Sequence, residues 1–138
     1  FESYITRAHK TRDINKRIEW NQKAVDLVQG PYLGEVDALW VLPERERLGQ
    51  LYDSALEELA QLYLNANRLE RCLAVSQMAL IQNRYNELIY QIEMRAYAAL
   101  GDRVAIVHCY QACKAALKEG LGILPSPETE TLYQDLIA

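Results

Sequence analysis

Apolar residues step along this chain by threes and fours almost without interruption. Between Pro43 and Ala66 they fall at Leu48, Leu51, Tyr52, Ala55, Leu56, Leu59, Leu62, Tyr63 and Ala66. A period of 3.6 residues puts that set on one side of a helix, so the spacing predicts a stripe that faces a core. Pro43 suits the first helical position, where its missing N–H would have no partner anyway. Glu44 and Glu46 then stand in the first turn, where negative charge complements the helix dipole. No stretch shows the period of two that a half-buried strand requires.

The same signals divide the rest of the chain. Asn65-Ala66-Asn67 predicts a stop, followed by a helix from about Arg68 to Asn83 and a turn over 83–86. The next helix runs from about Glu87 to Leu100 and closes at Gly101. Asp102 predicts an N-cap for a helix that continues to about Gly120 and is ended by Gly120 and Gly122. Ser126 predicts the last N-cap, with Pro127 at the first helical position and Glu128 and Glu130 in the acidic first turn. That helix runs to about Ile137. Ahead of these lie a short helix over 1–10 and one from about Ile14 to Val28, with Ile18, Val25 and Val28 apolar and Trp20 near its middle. Gly30-Pro31-Tyr32-Leu33-Gly34 breaks it, and a loop is expected to about Val41. The expected fold class is all-α: about seven helices in antiparallel pairs, with no sheet.

Shifted by 34 positions, the chain echoes itself. Tyr63 falls on Tyr97, Asn67 on Gly101, Cys72 on Ile106 and Ala79 on Cys113. Thirty-four is the period of tetratricopeptide repeats, which pair two helices per unit. Their large and small positions are held here by Leu56, Leu59, Ala60, Tyr63, Cys72, Ser76 and Ala79. The second unit holds Tyr90, Glu93, Met94, Tyr97, Ile106, Tyr110 and Cys113. The fit is partial: Ser76 replaces an aromatic, Glu93 a leucine, and Arg84 and Lys118 the closing proline. Two units cannot cover their own outer faces, so flanking helices are expected to close a right-handed superhelical array. The organisation expected is one domain over 1–138. It has an irregular helix pair and loop over 1–42, two repeats over 53–120 and a capping helix over 126–138.

By similarity to such arrays, the first helix of each pair lines a concave groove. The groove positions would be Ser54, Glu57, Gln61 and Leu64 in one unit, and Leu88, Gln91, Arg95 and Ala98 in the next. Glu57, Gln61, Gln91 and Arg95 are able to grip an extended peptide or a helix. The competing reading is plain solvent exposure.

Composition narrows the classes. The chain has 138 residues and a net charge of −4, with half its residues apolar and a quarter charged. That is the size and balance of one globular domain. No run approaches the roughly 18 apolar residues of a membrane span, and no signal-peptide pattern is present. A chain opening on Phe1 is expected to be a piece of a longer protein or a processed one. An acid excess argues against nucleic-acid binding by this segment alone. The charge is uneven, however: Arg7, Lys10, Arg12, Lys16, Arg17 and Lys23 stand against Asp13 and Glu19. This is either a surface for an acidic partner or phosphate, or a solvated helix face, and the second is commonplace. Three cysteines without framework spacing point to a reduced, cytoplasmic chain.

Catalytic patterns are lacking. There is no P-loop, no glycine-rich dinucleotide turn and no HExxH. Ser3, Ser54, Ser76 and Ser126 have no histidine at a telling spacing, and His9 and His108 are far apart. Glu57-Glu58 and Glu44-Glu46 read as surface-helix carboxylates. Trp20 and Trp40 are expected to pack the N-terminal part onto the first repeat, an interface anchor being the other option. The densest cluster is HCYQAC, residues 108–113. Cys109 and Cys113 share a helix face, but His108 is turned about 100° from Cys109, and the ligand set for a metal is incomplete. In the repeat register Cys72 and Cys113 fill small-residue positions and Tyr110 the aromatic one, so the expected role is core packing, a metal- or redox-responsive site at His108, Cys109 and Cys113 being the lesser alternative. Thus no catalytic residue, cofactor or metal ligand is expected.

QGPYLGEVDALWVLPERERL, residues 29–48, resembles the hallmark segment of the bacterial transcriptional activator domain: a Gly-Pro-x-Leu turn, a Trp some residues on, then a helix start rich in acids and arginines. LGDRVAIVHCYQACKAALKEGLGILPSPETETLY, residues 100–133, is similar to that family's closing segment. The resemblance covers nearly the whole chain. It implies an all-helical domain of a bacterial regulator that works through protein contacts: self-association, neighbouring domains of the parent protein or the transcription machinery. DNA would be bound only through another domain, and no membrane is involved. A generic tetratricopeptide adaptor that binds a peptide or helix in its groove is the alternative. A groove that grips carboxylates needs several Lys or Arg, and only Arg95 qualifies.

Overall fold

A computed structural model describes residues 1–10, 13–28 and 42–138, with only the backbone described at 28 and 42–46. Among the described residues the chain forms seven α-helices and no strand. They are α1 (Glu2–Lys10), α2 (Ile14–Val28), α3 (Leu42–Asn65), α4 (Leu69–Gln82), α5 (Glu87–Ala99), α6 (Arg103–Leu121) and α7 (Pro127–Ile137). The expected Gly30–Val41 loop and the roles of Trp40, Glu44 and Glu46 lie outside what is described. Each helix packs on the next, and two further pairs, α3 with α5 and α5 with α7, also touch. So α3, α5 and α7 form one layer of a tetratricopeptide-like helical array.

The repeat is visible atom by atom in the two interhelical turns. The Arg68 N–H donates to the Tyr63 carbonyl at 2.9 Å, and the Asp102 N–H donates to the Tyr97 carbonyl at 2.9 Å. Likewise Asn67 N–H reaches Leu64 O and Gly101 N–H reaches Ala98 O, at 3.1 and 3.0 Å. Every donor and acceptor of one turn is the other's shifted by the repeat length. The φ angles agree: +59° at Asn67 and +74° at Gly101. This is the left-handed residue that closes a helix, a conformation open to Gly and tolerated by Asn. The repeat is therefore carried by backbone geometry even where side chains have drifted.

Caps follow the sequence signals. The Asp102 carboxylate accepts from the Ala105 N–H at 3.0 Å, and the Ser126 hydroxyl accepts from the Thr129 N–H at 3.4 Å. The α6 terminus differs from expectation. Gly120 lies inside the helix, which ends one residue later with Gly122 as the left-handed cap (φ +65°). Gly120 serves close approach instead: the Tyr85 ring lies where a β-carbon would stand.

The stripe of α3 faces the core as the spacing predicts. Leu56, Leu59, Ala60 and Tyr63 are buried, joined by Ala24 and Val25 from α2, Cys72 and Val75 from α4, and Ile89 and Ile92 from α5. A second cluster gathers Tyr90, Met94, Ile106, Cys109, Tyr110, Cys113 and Leu117, and α7 packs Leu132, Tyr133 and Leu136 on it. Tyr133 stacks on Tyr110 with ring centroids 3.9 Å apart. The N-terminal pair is held on α3 by polar links: Arg17 and His9 to Glu58, and Tyr63 Oη to Gln22 Oε1 at 2.7 Å. The structure shows one contact of Trp20 within the N-terminal pair. It stacks on Tyr4 of α1, so it joins the two N-terminal helices to each other.

Candidate functional site

The layer of α3, α5 and α7 carries the groove positions, and several of them are occupied by internal bonds. Glu57 on α3 accepts from the Asn86 amide at 2.6 Å, which ties α3 to the N-cap residue of α5. Gln91 on α5 donates to Thr129 Oγ1 of α7 at 2.9 Å. Gln61 bonds Asn65 within its own helix, and Leu64 is half-buried against the core. Ala98 packs on the second cluster. Ser54, Leu88 and Arg95 remain exposed. The eight positions thus do not form one continuous polar grip.

A network at the α5–α7 contact was not legible as a site in the sequence. Glu87 Oε2 accepts from the Ser126 N–H, the Ser126 hydroxyl and the Thr129 hydroxyl at 3.0, 2.9 and 2.6 Å. Burial alone would raise the Glu87 carboxyl, but the Thr129 and Ser126 hydrogen bonds outweigh it and lower its pKa. Thr129 is fully buried. The only sequence hint was the acidic residue in the first turn of α5. A carboxylate on one layer helix thus holds the N-cap of the next, Glu57 for α5 and Glu87 for α7.

The cysteines are packing residues. Cys72 and Cys113 are fully buried at their small-residue positions. Cys109, which had no assigned role, is buried too, and its thiol lies 3.5 Å from the Tyr90 carbonyl. His108 is exposed beside Gln111. Among the described residues no three His, Cys, Asp or Glu side chains converge as metal ligands. Burial pushes the Cys113 thiol up to about 12, with the Glu87 and Glu130 carboxylates adding to it, and it raises Cys72 and Cys109 as well. Such thiols are poor nucleophiles. We expect all three to resist a thiol reagent in the folded protein and to react together on denaturation. We further expect Cys113→Ser, which buries a hydroxyl, to cost about 1–3 kcal/mol. A thiol titrated at once in native buffer contradicts the packing role.

Glu93 is the one acidic side chain among the buried described residues, at 4 % exposure. Its Oε1 has no hydrogen-bond partner, and burial raises its pKa to about 7. Leu59, its repeat equivalent, is fully buried and apolar.

A family model described as the bacterial transcriptional activator domain matches residues 2–137. No curated protein and no solved structure matches the chain.

Proposed function

The chain belongs to the bacterial transcriptional activator domain family, and from that premise we propose that it supports transcription activation through protein contacts. The contacts are self-association, docking on a neighbouring domain of the parent protein, or contact with the transcription machinery. DNA is reached through a separate domain, and the setting is the cytoplasm. The observation that carries this reading is the family match over essentially the whole chain. The stacked-helix architecture supports it, because such arrays present extended surfaces to partners. No catalytic role is assigned. Among the described residues no helix is long and apolar enough to cross a membrane.

The groove contributes to the contact through Ser54, Leu88 and Arg95, the positions left exposed. With Glu57 and Gln91 engaged internally, little is left to hold a peptide backbone, which weighs against the adaptor reading. The test is sedimentation of the chain alone and mixed with the rest of its parent protein. We expect association in the micromolar range, weakened about tenfold or more by Leu88→Asp combined with Arg95→Glu. A monomer that ignores the parent's other modules, or a parent with no DNA-binding or signalling module, overturns the reading.

A further inference from the structure

The α1–α2 pair presents a basic, aromatic face. Trp20 stands half-buried between the two helices with Tyr4 stacked on it, ring centroids 5.6 Å apart. The Arg7 guanidinium lies 4.9 Å from the Trp20 ring centroid and the Lys23 ammonium 4.8 Å. Two cations around one ring are therefore at most about 10 Å apart. Lys16, Trp20 and Lys23 share one side of α2 at helical spacing, and Lys10 follows Arg7 by three on α1. Lys10 and Lys16 are exposed. The acids of the pair are Glu2, Asp13, Glu19 and Asp26: Glu2 pairs with Arg47, Asp13 accepts from the Asn15 and Lys16 N–H groups, and Asp26 accepts from the Gln22 amide. Glu19 pairs with Lys23 at 3.3 Å, and Glu58 is already taken by Arg17 and His9.

The face is set apart electrically from the rest of the chain. Residues 1–28 hold six Lys and Arg against four Asp and Glu, a net of +2, whereas the remainder holds nine against fifteen, a net of −6. We propose that Arg7, Lys10, Lys16 and Lys23, arranged around Trp20, dock an acidic segment of a partner protein. The proposal rests on the protein-contact reading above and adds a contact on the N-terminal pair to that of the groove. Trp, Tyr and Arg held together are what anchors of protein interfaces are made of. Nucleic acid fits less well. Tyr4 and the two cations lie against Trp20, so it is not free to stack on a base.

The test is fluorescence anisotropy of the intact chain with a labelled Glu-rich peptide of about 12 residues, at about 20 and about 200 mM salt. We expect saturable binding at low salt that weakens about tenfold at high salt. Arg7→Glu with Lys23→Glu should weaken it about tenfold again, while Arg95→Glu in the groove changes it less than about twofold. Lys10→Glu with Lys16→Glu, which leaves the Trp20 contacts alone, should act in the same direction with helicity unchanged by circular dichroism. No binding at low salt, binding indifferent to both double variants, or tighter binding to a DNA duplex of matched charge overturns the proposal. Failure with the peptide while the chain still associates with its parent's modules removes this face and leaves the protein-contact reading standing.

Discussion

Glu93→Leu is expected to stabilise the protein, and to do so most above neutral pH. In the folded chain the Glu93 carboxyl is buried on α5, and burial raises its pKa from 4.5 to about 7. The titratable groups coupled to it are the Cys72 thiol of α4, the Cys109 thiol of α6, and Tyr90 and Tyr97 of α5 itself. All of them are acids, and among the described residues no cation compensates its charge. A folded-state pKa above the unfolded value means that the folded chain holds the proton more tightly. Stability from this group is thus fully present below about pH 4.5 and is lost as pH rises through about 7. The difference between those two pKa values is worth on the order of 3 kcal/mol at alkaline pH. Urea unfolding followed by circular dichroism at about pH 5.5 and about pH 8.5 should show the wild-type chain weaker at the higher pH. Glu93→Gln should flatten that slope, and Glu93→Leu should both flatten it and raise stability. Glu87 acts at the other end: its lowered pKa adds stability above about 4.5 that is lost on acidification. The comparison is therefore best made above pH 5. A wild-type profile that rises between the two pH values would show Glu93 to be paired and charged in the folded state.

Tyr63→Ala is expected to cost about 3–5 kcal/mol, the range for emptying a buried aromatic site. Tyr63 is 2 % exposed and sits among the buried side chains of α2, α3, α4 and α5. Its hydroxyl also holds Gln22 of α2 at 2.7 Å. Tyr63→Phe keeps the packing and removes only that bond, so it should cost about 1 kcal/mol. The two variants separate what the ring does for the repeats from what the hydroxyl does for docking α2 on α3. Thermal melts of both would check it. Equal losses for the two would mean that the docking bond, not the cavity, dominates. At Tyr97, the repeat equivalent, the side chain is only half-buried, so Tyr97→Ala should be milder.

Periodicity, caps and turn residues are local properties, and the helices were legible from them. The stripe of α3 followed from spacing alone, because a helix of 3.6 residues per turn can bury that set on only one side. Asn67 and Gly101 marked equivalent turns because few residues tolerate a left-handed backbone, and both turns formed with the same hydrogen bonds. The repeat register also explained Cys72 and Cys113 as small core residues before any contact was known. Gly120 was misread because a glycine near a helix end has two meanings. A stop and a close approach look alike until Tyr85 arrives from far along the chain.

The sequence by itself determined the seven helices of the described residues, their order, the repeat and the family's two signature segments. What only the tertiary structure decided was which polar side chains remain free to act. Glu57 and Gln91 were equal candidates with Ser54 and Arg95 until the fold brought Asn86 and Thr129 against them. The repeat put Glu93 where a leucine is expected, but only the packing of α4 and α6 on α5 left its carboxyl buried, and only the fold stacked Trp20 on Tyr4. Helix formation is governed by neighbours three and four residues away. The state of a polar group is governed by partners that here lie 29 and 38 residues distant, and no local pattern reports where those will be.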